Sequence, residues 1–310
     1  MSLVLLDSLS LPGDPAKANE DAFGHDANAA LVIDGATPLG DGLMPGPSDA
    51  AWIAQFGARR VMAHLRDGNG ARKALRAALA DTQKSFEALR RHPPEDMWQT
   101  PCASMMLAFC APSALRIASA ATGTSPTSAL TRARGRGAGA SFEIEFLWFG
   151  DCAALMKQGD AAVTVVGESF DKRAAEALRA QAIGKEKNLS PAAGLSRPEF
   201  IGTLRAARGR INSGSTWLFS PDAKAASHVS RRLVKGAPDS VLLLASDGFL
   251  ALATDYGAYS ADSLMTAALS KGLAALGEEL RAIEGGDAGG DRFPRFKKSD
   301  DATALLLRLL

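Results

Sequence analysis

The chain has 310 residues, 46% hydrophobic and 22% charged, enough for a core of its own, which excludes a disordered chain. Thirty-five basic residues against thirty-four acidic ones leave a net charge of +1, so no global field draws in nucleic acid or an anionic membrane. Three cysteines without C-x-x-C spacing, Cys102, Cys110 and Cys152, exclude a disulfide framework and a structural zinc site.

The first residues carry an acid at Asp7 and no basic region ahead of an apolar stretch, so no secretory signal is expected. No apolar run approaches the roughly 20 residues that span a bilayer, and a cytoplasmic location is the expectation. In chain order, strands are predicted at Leu3–Leu6 and Leu31–Ile33. Two helices follow. The first starts at Pro47-Ser48-Asp49 and carries the stripe Ala54, Ala58, Val61 and Leu65. The second repeats Leu75, Ala78, Leu79, Thr82 and Phe86 at three and four. The short linker Arg66–Gly70 makes them an antiparallel pair.

Further strands are predicted at Met105–Phe109, Phe142–Phe149, Ala162–Val166, Thr216–Phe219, Val241–Ala245 and Ala304–Leu309. Further helices are predicted at Asp171–Ile183, Pro221–Val234 and Asp262–Glu284. Strands cluster and are not each followed by a helix, so the class is α+β, with antiparallel sheet covered by helices. Ala111–Ala140 and Gly285–Ser299 read as loose excursions, and the whole chain, 1–310, as one domain.

The chemistry-bearing residues are carboxylates at the ends of apolar strands. Asp34 follows Leu31–Ile33 and precedes Gly35. Asp247 follows Val241–Ser246 and precedes Gly248. Asp151 follows Phe146–Gly150. Asp300 and Asp301 precede the last strand, and Glu20 and Asp21 lie in Asn19–Phe23. Any one of these acids, taken alone, is a turn residue. Gathered together they repel unless a cation or a proton intervenes. Hard divalent ions such as Mg²⁺ and Mn²⁺ take oxygen ligands of this kind.

Five motifs in order, NEDAF (19–23), LVIDGAT (31–37), FGDCAAL (149–155), LLLASDGFLAL (242–252) with Tyr256, and DDATALLL (300–307), resemble the metal-dependent type 2C serine/threonine protein phosphatases. The resemblance implies a four-layer sandwich, two central antiparallel sheets flanked by helices, with two Mn²⁺ or Mg²⁺ ions at one end. Asp34 would bridge both ions, Asp247 and Asp300 would complete one site, and the Gly35 carbonyl would serve the other. Glu20 would contact the second ion, Asp21 would stand in its outer shell, and Asp151 would help hold a third ion. The mechanism implied needs no protein nucleophile. A metal-bridged hydroxide attacks the phosphate of a phosphoserine or phosphothreonine on a protein substrate.

The sequence departs from that pattern around the substrate. The position of the usual phosphate-gripping arginine is Ala16, with Lys17 beside it as a point-charge contact. Ala36-Thr37 stands where many relatives carry a histidine, which leaves His25 as a candidate proton donor. Asp301 replaces an asparagine, and Cys152-Ala153 replaces Ser-Arg. Arg197, Arg205, Arg208 and Arg210 occupy the region of a mobile flap, from which one could replace the missing grip. Two alternatives therefore stand beside the phosphatase: a catalytically weak relative that binds a phosphoprotein, and a phosphodiesterase or small-molecule phosphatase.

Overall fold

The computed structural model describes residues 2–111, 142–168, 198–295 and 297–310, with positions 170, 178 and 182. Two antiparallel five-stranded sheets form its centre. In the first, β1 (Leu3–Leu11) pairs with β10 (Ala302–Leu309), then β9 (Val241–Ala245), β6 (Ala153–Lys157) and β7 (Thr164–Val166). In the second, β2 (Asp21–His25) pairs with β3 (Ala29–Gly35), then β4 (Ala103–Cys110), β5 (Phe142–Phe149) and β8 (Ser230–Gly236).

The two-residue period of the strands divides their side chains among three apolar layers. Along β3, Leu31 and Ile33 pack with helices α1 (Asp49–Arg66) and α2 (Ala71–Leu89), while Ala30 and Val32 face the other sheet. Along β9, Leu242 and Leu244 face inward, whereas Leu243 and Ala245 meet α4 (Asp247–Thr254), α5 (Ala261–Lys271) and α6 (Leu273–Gly286). The result is an α+β sandwich of helices, sheet, sheet and helices, as expected. Each fully buried Leu, Ile or Phe in these layers contributes about 1.5–3 kcal/mol.

Local signals explain the element ends. Ser48 caps α1, its Oγ accepting from Ala51 N–H at 2.9 Å. Asp49 adds two acceptor bonds from Leu43 and Met44 N–H, each 2.8 Å. Gly272, at φ +82°, breaks the stretch expected as one helix at Asp262–Glu284 into α5 and α6. Asp7 then caps α6, accepting from Leu273 N–H at 2.8 Å.

Three other expectations are corrected. Pro221–Val234 is not a helix. Asp222 caps one 3₁₀ turn, Ala223–Ser227, and the following residues become edge strand β8, whose Arg231 pairs with Glu145 at 2.5 Å. Charged side chains along that strand blunt the sheet edge and mimic a helical pattern. Thr216–Phe219 makes only single bridges, because Asn212 (φ +58°) and Gly214 (φ +86°) turn the chain back on itself. The described residues of 285–299 are pinned, where a loose loop was expected. Asp287 accepts from the N–H groups of Asp291, Arg292 and Phe293, and its carboxylate pairs with Arg295 at 2.8 Å. The helix expected at Asp171–Ile183 and most of the Ala111–Ala140 excursion lie outside the described residues. Among the described residues no helix is long and apolar enough to cross a membrane.

Candidate metal centre

Register alone assembles the first half of the site. Asp21 opens β2 and Asp34 lies near the end of β3, and the two are Cα partners. On the other flank Asp34 pairs with Ser104 of β4, whose hydroxyl donates to Asp151 Oδ1 at 2.5 Å. Gly150, at φ +70°, is required just before Asp151, since a Cβ there would strike the Ser104 side chain.

The first sheet supplies the other half. Asp247 starts α4 directly after β9, and Asp300-Asp301 lead into the neighbouring β10. Gly248 lets the two chain segments touch, because a Cβ there would collide with the Asp301 carbonyl. Ser246 joins the sheets. Its Oγ donates to Asp21 Oδ2 at 2.9 Å and accepts from Thr303 N–H at 2.9 Å. The acids of both sheets thus meet at one end of the sandwich.

Their electrostatics mark a deficit of positive charge. Burial lifts the Asp21 carboxyl from 3.8 to about 8, opposed by the Ser246 hydrogen bond and aided by repulsion from Asp301 and Asp300. Asp34 lies well above the usual carboxylate range, through burial first and then Asp21, Asp247 and Asp300. Burial pushes the Cys152 thiol up too, and Asp34, Asp151, Asp21 and Asp247 reinforce it. Asp21 is 5% exposed, and its Oδ1 is buried with no hydrogen-bond partner among the described residues.

An all-carboxylate donor set with an orphaned oxygen suits a hard divalent ion. As the side chains stand, however, no three Asp, Glu, His or Cys groups among the described residues converge on one ion position. Three of the acids have competing partners. Thr37 Oγ1 donates to Glu20 Oε2 at 2.7 Å, and Lys297 Nζ meets Asp300 Oδ1 at 2.7 Å. Asp301 is turned away altogether, accepting from Gly13 N–H at 2.7 Å and Glu20 N–H at 2.5 Å. Its replacement of asparagine has a local reason. Both oxygens accept, whereas a carboxamide would set its NH₂ against one of those N–H groups.

The other candidates fall elsewhere. Gly35 packs where a Cβ would strike the Ala50 and Glu20 carbonyls, and its N–H donates to Glu20 O at 3.0 Å. Lys17 sits on an exposed turn, 3.8 Å from Asp14. His25 ends β2 four residues beyond Asp21, about 13 Å along the strand, too far to serve as the expected proton donor. Arg205 donates through Nε and Nη2 to Leu39 O at 3.0 and 2.7 Å and covers Trp98 at 4.1 Å. Arg208 Nη1 donates to Thr37 O at 2.7 Å. These arginines latch helix α3 (Pro198–Arg208) onto the loop after Asp34. Arg210 is exposed, and Arg197 lies outside the described residues.

The sequence reading missed Ser104, Thr37, Ser246 and Lys297. A lone hydroxyl beside a strand-end acid and the basic pair of Lys297-Lys298 ahead of Asp300 were the available signals.

No protein-family model matches the chain, and no curated protein matches it. Among solved structures, the serine/threonine phosphatase PstP/Ppp of Mycobacterium tuberculosis aligns over 100% of this chain and 99% of its own, with TM-score 0.53 and 16% identity. The catalytic domain of the serine/threonine protein phosphatase PstP in complex with two manganese ions aligns over 99% and 98%, with TM-score 0.48 and 14% identity. The phosphatase MsPP from Mycobacterium smegmatis in complex with cacodylate aligns over 100% and 99%, with TM-score 0.49 and 15% identity. At such identity the likeness is one of fold, and this chain has the fold of the bacterial type 2C serine/threonine phosphatases.

Proposed function

We propose that the chain is a Mn²⁺- or Mg²⁺-dependent phosphatase acting on phosphoserine or phosphothreonine in a protein substrate. One observation carries this reading: Asp21, Asp34, Asp247 and Asp300 act on one another at one end of a type 2C fold, where burial and mutual repulsion hold Asp21 and Asp34 above the usual carboxylate range. Asp34, Asp247 and Asp300 are the proposed ligands, with the Gly35 carbonyl and Glu20 toward a second ion and Asp151 toward a third. Divalent ions held there supply Lewis acidity and an activated water for attack on phosphorus.

The protein's own part is placement. Arg208 fixes Thr37, and Thr37 fixes Glu20. Ser246 fixes Asp21 across the sheets, and Ser104 fixes Asp151. The four histidines stand away from the acids: His64 pairs with Asp81 at 2.8 Å, His228 stacks on Trp217, His92 bonds Pro93 O, and His25 closes β2. Leaving-group protonation therefore falls to solvent rather than to imidazole. We read residues 1–310 as one cytoplasmic domain, supported by the apolar layer that both sheets build and by three buried cysteines, odd in number and without C-x-x-C spacing.

A second reading, a relative that binds a phosphoprotein without hydrolysing it, draws support from Lys297 within the cluster and Ala16 at the position of the usual phosphate grip. Turnover separates them. Hydrolysis of a phosphothreonine peptide and an aryl phosphate with Mn²⁺ is expected to vanish in EDTA and in Asp247→Ala. Calorimetric Mn²⁺ binding with no turnover on either substrate would select the binding module.

A further inference from the structure

Lys297 is not an incidental surface lysine. Its ammonium lies 2.7 Å from Asp300 Oδ1, the oxygen that also accepts the Asp301 N–H at 3.0 Å. The backbone that follows it is held at two carbonyls. Arg295 Nε donates to Lys298 O at 3.0 Å, and Arg281 Nη2 donates to Asp300 O at 2.8 Å. Arg295 is in turn fixed by Asp287. The contrast with Lys17 is sharp: that ammonium is exposed and faces Asp14 of its own turn.

An exposed pair three residues apart contributes little. This pair differs because more than one acid acts on the ammonium. Besides Asp300, which it touches, the ammonium is attracted by the Asp34 and Asp247 carboxylates. Those three are the carboxylates proposed above as ligands. An ammonium and a hard divalent ion seek the same oxygens by the same Coulomb attraction, so both cannot sit among them.

We propose that Lys297 is a tethered counter-ion of the carboxylate cluster, which a divalent ion must displace, so that this side chain sets the metal affinity of the centre. The proposal rests on the metal-dependent reading of the site. It accounts for why the acids fail to converge on an ion position while Lys297 holds Asp300. With the ammonium withdrawn, Asp300 is free to turn toward Asp34 and Asp247.

The test is calorimetric titration of Mn²⁺ into the EDTA-stripped full chain, wild type against Lys297→Met. The methionine keeps the aliphatic stem and removes the charge. Its affinity for Mn²⁺ is expected to rise about tenfold or more. Lys297→Gln, which retains a donor for Asp300, guards against unfolding of the metal-free methionine variant and is expected to shift the same way. Equal or weaker Mn²⁺ binding by both variants would overturn the role of Lys297 and leave the metal reading standing. Absence of Mn²⁺ binding in the wild type and both variants would overturn both together.

Discussion

Metal-free protein is expected to lose stability as pH rises from about 4 to 8, and Mn²⁺ to restore it. In the folded chain burial holds the proton on Asp21 up to about 8, whereas the unfolded carboxyl releases it near 3.8. Below the lower value Asp21 is protonated in both states and its burial carries no charge penalty. Between the two values the native state binds more protons than the unfolded state, so stability falls as pH rises. Asp34, raised for the same reasons, acts in the same direction. The Asp21 shift alone corresponds to several kcal/mol and a fall on the order of 5–10 °C in melting temperature. Melts at pH 5 and pH 8 in EDTA and in millimolar Mn²⁺ check this. A flat or rising metal-free profile would contradict it.

The second large effect is Asp34→Asn, whose consequences have opposite signs. A neutral amide escapes the penalty that burial, Asp21, Asp247 and Asp300 place on an ionisable carboxyl, so the metal-free variant is expected to melt several degrees higher near neutral pH. The carboxamide is a poor ligand for a hard ion, so Mn²⁺ should no longer raise the melting temperature. Phosphatase turnover is expected to fall by more than about 100-fold, the upper range for residues that merely support a ligand. A uniform loss of stability in both conditions would mean that Asp34 is a packing residue.

Much of this site was legible before any coordinates. Asp34 and Asp247 follow buried strands and precede glycines, and that local grammar survives folding because both strands are central in their sheets. Asp21 was harder to place. Its five-residue strand is too short to show alternation, and only the pairing with β3 sets it against Asp34. β8 was misread because an edge strand bearing Arg231 and Arg232 satisfies no apolar period. Its identity comes from pairing with β5, a contact 86 residues away for Arg231 and Glu145. The basic pair Lys297-Lys298 was visible, but the role of Lys297 was hidden for a related reason. Nothing in Arg295–Asp301 reveals that Asp287 and Arg281 fix the backbone so that one lysine of a basic pair turns inward.

Asp301, which replaces an asparagine, adds negative charge that acts on Asp21, and in the fold it also closes the connection between β1 and β2 through Gly13 and Glu20. The altered arginines are similar. Arg205 and Arg208 lie near the Asp34 loop as expected of the flap region, yet they bind its carbonyls instead of presenting free guanidinium forks.

The most direct measurement is anomalous diffraction from a crystal of the full chain equilibrated with Mn²⁺. The account predicts Mn²⁺ peaks within ligand distance of Asp34, Asp247 and Asp300, with the Lys297 ammonium withdrawn from Asp300. No peak at that end of the sandwich, with Lys297 still bonded to Asp300, would contradict it.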